Sequence, residues 1–298
     1  MTHYVGDITV DVIRDAAYRI DGGAAFGVVP RTTWAKLAPP DRRGRITVAV
    51  NCYLIRTKRQ NILVDTGLGN KLGEKWRDAY AVTKDGRLPA ELAALGVSPE
   101  QIHYVVLTHL HFDHAGGATV RDKAGVLRVA FPNAVYLVQR RDWEEALHPN
   151  ERTRPAFQPE DFLPLKETGR LRLLEGDSFV TPRVSLVVTG GHTTAHQLVR
   201  VASRGQVGYF PGDLLPAVYY LPPPYIPAYD LFPLTTLEAK KTLLRRAARK
   251  EALLFLSHEK NTPVGRVALD ERNHYVFAPA APADEKAPGP HPRQEKKV

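Results

Sequence analysis

Between Leu107 and Gly117 the chain sets three histidines and one aspartate in six positions: His109, His111, Asp113 and His114. They follow the apolar run Tyr104 to Leu107, which has the pattern of a short buried strand. The four side chains therefore stand where a strand gives way to a loop. His109 and His111 are two apart and project to the same side of an extended backbone. Asp113 and His114 are adjacent and diverge unless the chain turns, and Gly116 and Gly117 permit a turn. The simplest geometry is a pair of neighbouring metal ions, one on His109 and His111 and the other on Asp113 and His114. Two protein ligands leave each ion short of partners. The fold must bring in more, and three later segments offer them: His192 after the apolar run 184–188, Asp213 after 206–210, and His258 after 252–256. A chain that delivers all of these to one place needs its strand ends along a common sheet edge.

The rest of the pattern is compatible with that demand. Ile8 to Ile13 alternates as a strand. Val48 to Ile55 and Asn61 to Val64 are β-rich and flank the polar turn 57–60, as in a hairpin. Segments 89–95 and 139–147 read as helices, and 134–138 as a strand between them. The second half offers strands at 184–188, 197–202, 206–210 and 252–256. Its best helix runs from Leu234 to Lys250, with Pro233 at its start. Strands grouped in each half, with helices between them, predict two packed sheets with helices outside. Leu221 to Pro227, with four prolines, reads as a stiff surface loop. Residues 1–277 read as one domain, with a loop-rich N-terminal extension at 20–45. Residues 278–298, rich in proline, alanine and mixed charges, read as a disordered tail.

Composition narrows the function. The single cysteine, Cys52, excludes an intrachain disulfide and a thiolate metal cage. It fits a reducing compartment. No basic segment followed by an apolar run opens the chain, and the expected location is the cytoplasm. No stretch approaches the roughly 18 apolar residues of a membrane helix. There are 41 Lys and Arg against 32 Asp and Glu, a net charge of +9. Lys240, Lys241, Arg245, Arg246, Arg249 and Lys250 gather on the long helix. Without interleaved aromatics they read as a solvated face, so nucleic acid is not the expected partner. His196 is expected to hydrogen-bond backbone near the His192 loop and not to bind metal.

The order His-x-His-x-Asp-His, then His192, Asp213 and His258, together with Val64, Asp65, Thr66 and Gly67, resembles the metallo-β-lactamase superfamily of metallohydrolases. The resemblance covers roughly residues 45–260. It implies an α+β fold, an αβ/βα four-layer sandwich of two mixed β-sheets flanked by helices. It also implies a first metal on His109, His111 and His192, a second on Asp113, His114 and His258, and Asp213 bridging both. Asp65 would accept a hydrogen bond from a ligand histidine and fix its orientation. Two divalent ions are implied, zinc heading a list that includes Mn, Fe, Co and Ni. A hydroxide shared between them would attack the carbonyl or phosphoryl centre of a small ester, lactone or phosphoester, with Asp113 as general acid.

Among members of that superfamily, the lactonases and organophosphate or aryl-ester hydrolases are the most similar in architecture. Lactonases commonly carry a tyrosine three residues after the bridging aspartate, where this chain has Pro216. Tyr219 or Tyr220, from the same loop, is the expected catalytic phenol. The pocket mouth is expected from Leu214 to Leu231 and from the stretch around Phe26 and Trp34, with Tyr225 among its tyrosines. A small molecule is the expected substrate. Residues 20–45 would cap the site or form a homodimer contact. Two alternatives remain open: a phosphodiesterase or nuclease using the basic surface, and a non-catalytic metal-binding protein of the same fold.

Overall fold

The computed structural model describes residues 1–83 and 85–283. Strands β1 (Thr2–Val5) and β2 (Ile8–Asp21) lead into two short helices, α1 (Gly22–Phe26) and α2 (Arg31–Leu37). The hairpin β3 (Arg45–Arg56) and β4 (Asn61–Val64) follows, then α3 (Glu74–Ala79), α4 (Leu88–Ala94) and β5 (Tyr104–Val106). The first half closes with α5 (Phe112–Ala115), β6 (Thr119–Arg121), β7 (Leu127–Val129), β8 (Val135–Gln139), α6 (Arg140–Leu147), α7 (Pro159–Glu167) and β9 (Leu171–Leu174). The second half holds β10 (Ser178–Thr181), β11 (Val184–Val188), β12 (Gln197–Ser203), β13 (Gln206–Phe210), α8 (Pro233–Arg249), β14 (Leu253–Phe255), β15 (Val264–Leu269) and β16 (Tyr275–Pro279).

Two seven-stranded sheets result, ordered β1-β2-β3-β4-β5-β8-β9 and β10 through β16 in sequence order. Each is mixed. The first is antiparallel up to β4 and parallel from β4 onward. The second has one parallel step, β13 to β14. Val10, Tyr53, Val64 and Val106 of one sheet meet Val199, Phe210 and Phe255 of the other in a shared core. The outer face of the first sheet buries Leu92, Trp143 and Phe162 from α4, α6 and α7. The outer face of the second buries Leu243 and Leu244 of α8. Helices, sheet, sheet and helices make four layers, as the sequence leads one to expect. No described helix is long and apolar enough to cross a membrane.

Parallel neighbours end on the same side. The carboxyl ends of β4, β5, β13 and β14 thus all deliver their loops to one edge, where the histidines and aspartates lie. Two backbone bonds join the sheets there. The Asn51 amide donates to the Ser257 carbonyl at 2.8 Å, and the Gln197 amide to the Thr108 carbonyl at 2.9 Å. The buried Asn51 side chain also donates to the carbonyls of Leu256 and Glu259, at 3.0 and 2.9 Å.

Several sequence expectations are corrected. Strand β2 does not stop at Ile13 but runs to Asp21. Arg14 and Asp15 break the alternation, and the structure absorbs them as a bulge, a register shift against β3 between Arg14 and Ala16. The extension 20–45 carries α1 and α2 and is not mainly loop. The tail expected from 278 joins the fold at first: β16 ends at Pro279, and the Ala283 amide donates to the Thr2 carbonyl. The remainder of that expectation, 284–298, lies outside the described residues.

Lys240 is the sharpest correction. Its neighbours Lys241, Arg245, Arg246, Arg249 and Lys250 are exposed, but Lys240 is 0% exposed. Its ammonium donates to the carbonyls of Tyr220, Pro222 and Tyr225, at 3.1, 3.3 and 2.6 Å. Prolines give the loop carbonyls but few amide donors, so the lysine supplies what the loop lacks. Burial pulls its ammonium down to about 7. Lys240→Met removes the donor and strands those carbonyls. The expected cost is about 2–4 kcal/mol of stability, read from the denaturant midpoint. A midpoint equal to wild type would show that water serves the carbonyls equally well.

Candidate metal centre

The turn that separates Asp113 from His114 is helical. His111 stands at the N-cap of α5 with extended backbone, and its carbonyl accepts from the amides of His114 and Ala115. Successive residues of a helix point about 100° apart, so the two ligands diverge within one turn. Gly116 and Gly117 serve differently from expectation. Gly116 has φ −56°, so no special conformation is needed. A Cβ there would lie 2.2 Å from the Leu68 carbonyl oxygen, and one on Gly117 2.2 Å from that of Thr66. The glycines let α5 press against the loop after β4. That loop opens with Asp65 at φ 55°, an unusual conformation for a non-glycine residue. Thr66 holds it there by donating its amide and hydroxyl to the His114 carbonyl, at 2.7 and 2.9 Å.

The histidine tautomers follow from their outer partners. His114 Nδ1 donates to Asp65 Oδ2 at 2.9 Å, His192 Nδ1 to Asp230 Oδ1 at 2.8 Å, and His258 Nδ1 to the Ala49 carbonyl at 2.7 Å. With an oxygen accepting at Nδ1, each of these rings, when neutral, presents a bare Nε2 inward. His109 Nδ1 lies 3.1 Å from the Thr108 hydroxyl, and its buried Nε2 has no partner. His114 and His258 bring their Nε2 atoms within 3.1 Å of each other. His111 Nδ1 and His192 Nε2 are also 3.1 Å apart. Lone pairs that close repel unless a cation or proton lies between them.

Carboxylates sharpen the case. Asp213 Oδ1 lies 3.1 Å from His114 Nε2 and 3.2 Å from His258 Nε2, while its Oδ2 is 3.3 Å from His192 Nε2. It therefore faces both histidine groups. Asp113 Oδ2 is 3.4 Å from His258 Nε2. Asp65, Asp113, Asp213 and Asp230 are all buried here, and buried charge needs a counter-charge. Burial alone would keep the rings neutral, and it lowers His109 and His111 well below the usual value. For His114, His192 and His258 burial acts the same way, but the Asp213 carboxylate and its neighbours outweigh it and raise them. The cluster thus calls for positive charge that protons on its own rings can only partly supply. Three groupings could each take a cation: His109, His111 and His192; His109, His114 and Asp213; Asp113, His114 and His258. The bare nitrogens and buried carboxylates fit divalent metal, and nitrogen and oxygen donors without thiolate suit zinc and its first-row neighbours.

Each of the seven ligand positions named from the sequence is at this edge, with Asp65 behind His114. His196 is engaged at both nitrogens. Nδ1 lies 2.7 Å from the Thr189 hydroxyl, and Nε2 accepts from the Asp213 amide at 3.1 Å.

The centre lies in the wall of a cleft of about 480 Å³, whose remaining lining includes Ile20, Val48, Phe112 and Leu231. Pro216, Tyr220 and Tyr229 come from the loop after Asp213, as anticipated. Phe26 and Trp34 do not reach the mouth. They are buried, stacked on each other at 5.4 Å, and support the wall from behind. The two tyrosines singled out as catalytic are also committed elsewhere. Tyr220 gives its ring to the cleft but donates its hydroxyl to the Ala25 carbonyl at 2.8 Å. Tyr219 is partly buried with its ring 5.1 Å from Phe26, and its buried hydroxyl has no partner. Tyr225 is half-buried beside the same Phe26. The phenol that does reach the carboxylates is Tyr18, whose hydroxyl donates to Asp113 Oδ2 at 2.5 Å.

A sandwich of this layering with a histidine–carboxylate cluster on one edge defines a class of metal-binding proteins. Residues 45–258 match the sequence model of the metallo-beta-lactamase superfamily, and the chain belongs to that superfamily. An N-acyl homoserine lactonase of Bacillus thuringiensis is 33% identical over 162 residues, which are 51% of this chain and 58% of that relative. The match thus spans little more than half of the curated relative's length. A crystal structure of a probable metal-dependent hydrolase from Staphylococcus aureus is similar with a TM-score of 0.86 and 28% identity, covering 95% of this chain and 100% of that one. AidC, a dizinc quorum-quenching lactonase in complex with a product, has a TM-score of 0.77 and 20% identity, covering 95% and 98%. At that identity the likeness is one of fold.

Two outcomes test the centre. Because the Asp213 carboxylate raises the proton affinity of His114, His192 and His258, protons compete with a cation there, so zinc affinity should weaken as pH falls. Calorimetry near pH 7 in two buffers of different ionisation heat should find about one or more protons released per zinc. Release of none would mean the rings are already neutral. Asp230→Asn removes the carboxylate behind His192 and should weaken zinc binding about 10–100-fold in chelator competition. An unchanged affinity would detach Asp230 from the centre.

Proposed function

We propose that the chain is a hydrolase of small esters and lactones that works with two divalent ions, zinc first among them. One observation carries this reading: bare ring nitrogens and carboxylate oxygens converge from both sheets onto the wall of a mostly apolar cleft. One ion would rest on His109, His111 and His192, the other on Asp113, His114 and His258, with Asp213 shared. Bound divalent cations supply a nucleophilic water near neutral pH and Lewis acidity toward a carbonyl or phosphoryl oxygen.

The chain's own groups do the rest. Asp65, Asp230 and the Ala49 carbonyl hold the rings by their outer nitrogens. Apolar walls exclude water and accept an apolar arm of the substrate. Asp113 takes a proton from the attacking water and passes it to the leaving oxygen. The bond from water oxygen to the acyl carbon forms as the bond to the leaving oxygen breaks, and acid and alcohol result. In a lactone both ends stay in one molecule. The lactonase likeness supports lactones as the first substrates to try. Among the described residues, Arg152 is the one lysine or arginine lining the cleft, which favours an uncharged substrate over a polyanion such as nucleic acid.

The test is a panel of acyl lactones, aryl esters, phosphotriesters and single-stranded nucleic acid, with and without added zinc. Zinc-dependent turnover of a lactone or ester is expected. Turnover of single-stranded nucleic acid alone would favour the phosphodiesterase alternative, and absence of any turnover at full metal loading would contradict the enzyme reading. Asp113→Asn should lower kcat about 10²–10⁴-fold on substrates with poor leaving groups. Near wild-type kcat at full zinc would remove Asp113 from proton transfer.

A further inference from the structure

Tyr18 lies 95 residues from Asp113 in sequence and on a different element, yet the two side chains meet in the buried site. The β2 bulge explains how. Asp15, at the bulge, is fully buried and accepts the amides of Leu68, Gly69 and Leu88 at 2.8, 3.3 and 2.9 Å. It ties β2 to the loop that carries Asp65 and to the start of α4. Beyond it the register is shifted by one residue, and Tyr18 pairs with Val48. A bulge re-aims the side chains that follow it. Here Tyr18, on the far end of β2, and its partner Val48 on β3 both line the cleft.

The tyrosine ring is fixed on three sides. It lies edge-on to Tyr80 at 5.8 Å and to His258 at 6.5 Å, and tilted to Phe112 at 6.1 Å. Asp113 is held far less. It sits in the one-turn helix α5. Apart from the histidines of the centre, Tyr18 is the one hydrogen-bond donor to its carboxylate among the described residues.

We propose that Tyr18 is the positioning residue for Asp113: its hydroxyl fixes the carboxylate's rotation so that Asp113 can serve the second cation and deliver its proton to the leaving group. The phenol keeps its own proton throughout. This inference rests on the hydrolase reading for its kinetic half and on the geometry alone for its metal-binding half. It also assigns a use to a phenol on β2, outside the loop after Asp213 that holds Tyr219 and Tyr220.

Tyr18→Phe removes one oxygen and keeps the ring's packing, so the fold is expected to survive. Two readouts are needed. In chelator competition one of the two zinc affinities should fall about tenfold while the other is unchanged, since only the Asp113 group is loosened. At saturating zinc, kcat should fall about tenfold on an ester with an alkoxide leaving group and less than about twofold on a nitrophenyl ester, with KM little moved. A nitrophenolate leaves without help, so a loss confined to poor leaving groups points to proton delivery. Equal losses on both esters with unchanged zinc affinities would reduce Tyr18 to packing and overturn the proposal. If the wild type hydrolyses nothing in the panel, the hydrolase reading fails by itself. The zinc titration then still decides: a tenfold loss upholds the contact's role, and two unchanged affinities overturn it.

Discussion

Asp213 is the residue on which the rest of the site turns. Its carboxylate is within 3.3 Å of ring nitrogens from His114, His192 and His258, and so faces both halves of the histidine cluster. A buried carboxylate in that position raises its neighbours' affinity for protons and, by the same field, for metal cations. It makes the cluster hold positive charge. The outer partners Asp65 and Asp230 add to that field and also fix which nitrogen each ring turns inward. Orientation and charge thus come from the same groups.

The sandwich keeps Asp213 and its partners in register. Asp213 follows β13, and its amide is held by His196, which Thr189 holds in turn. The opposite sheet is joined to this one by the bonds from Asn51 to Ser257 and from Gln197 to Thr108. The Gln197 side chain extends the link, donating to the Leu107 carbonyl while accepting from Gln139 of β8. Ligands that follow β5 therefore cannot drift from those that follow β13 and β14 without breaking buried hydrogen bonds. The loop wall depends on a similar device: Lys240 gathers three carbonyls of a proline-rich segment that cannot satisfy itself. Rigidity on both sides preorganises the cleft and limits the entropy that a ligand entering it would cost.

Much of this was legible because it is local. The apolar runs that became β3, β5, β11 and β13 announce themselves, and a histidine or aspartate just past such a run marks a ligand candidate. What stayed hidden depends on distant neighbours. Tyr18 looked like one residue in a polar-interrupted segment, since Arg14 and Asp15 ended the alternation and nothing signalled a bulge. Asp230 is 38 residues from His192, and its role depends on where a proline-rich loop returns. Lys240 sits among five basic residues that do face water, and its burial is set by carbonyls 15–20 residues earlier in the chain. Tyr219 and Tyr220 pointed the other way: their sequence position near Asp213 suited catalysis, but Tyr219 packs its ring on Phe26 and Tyr220 spends its hydroxyl on the Ala25 carbonyl.

The central claim is that one sheet edge holds two cations that share Asp213. Anomalous diffraction at the zinc absorption edge, on crystals grown with zinc, tests it most directly. The account predicts about two strong anomalous peaks roughly 3.5–4 Å apart, one beside His109, His111 and His192, the other beside Asp113, His114 and His258, with the Asp213 carboxylate touching both. A single peak at full zinc loading, or Asp213 turned away from either ion, would contradict it.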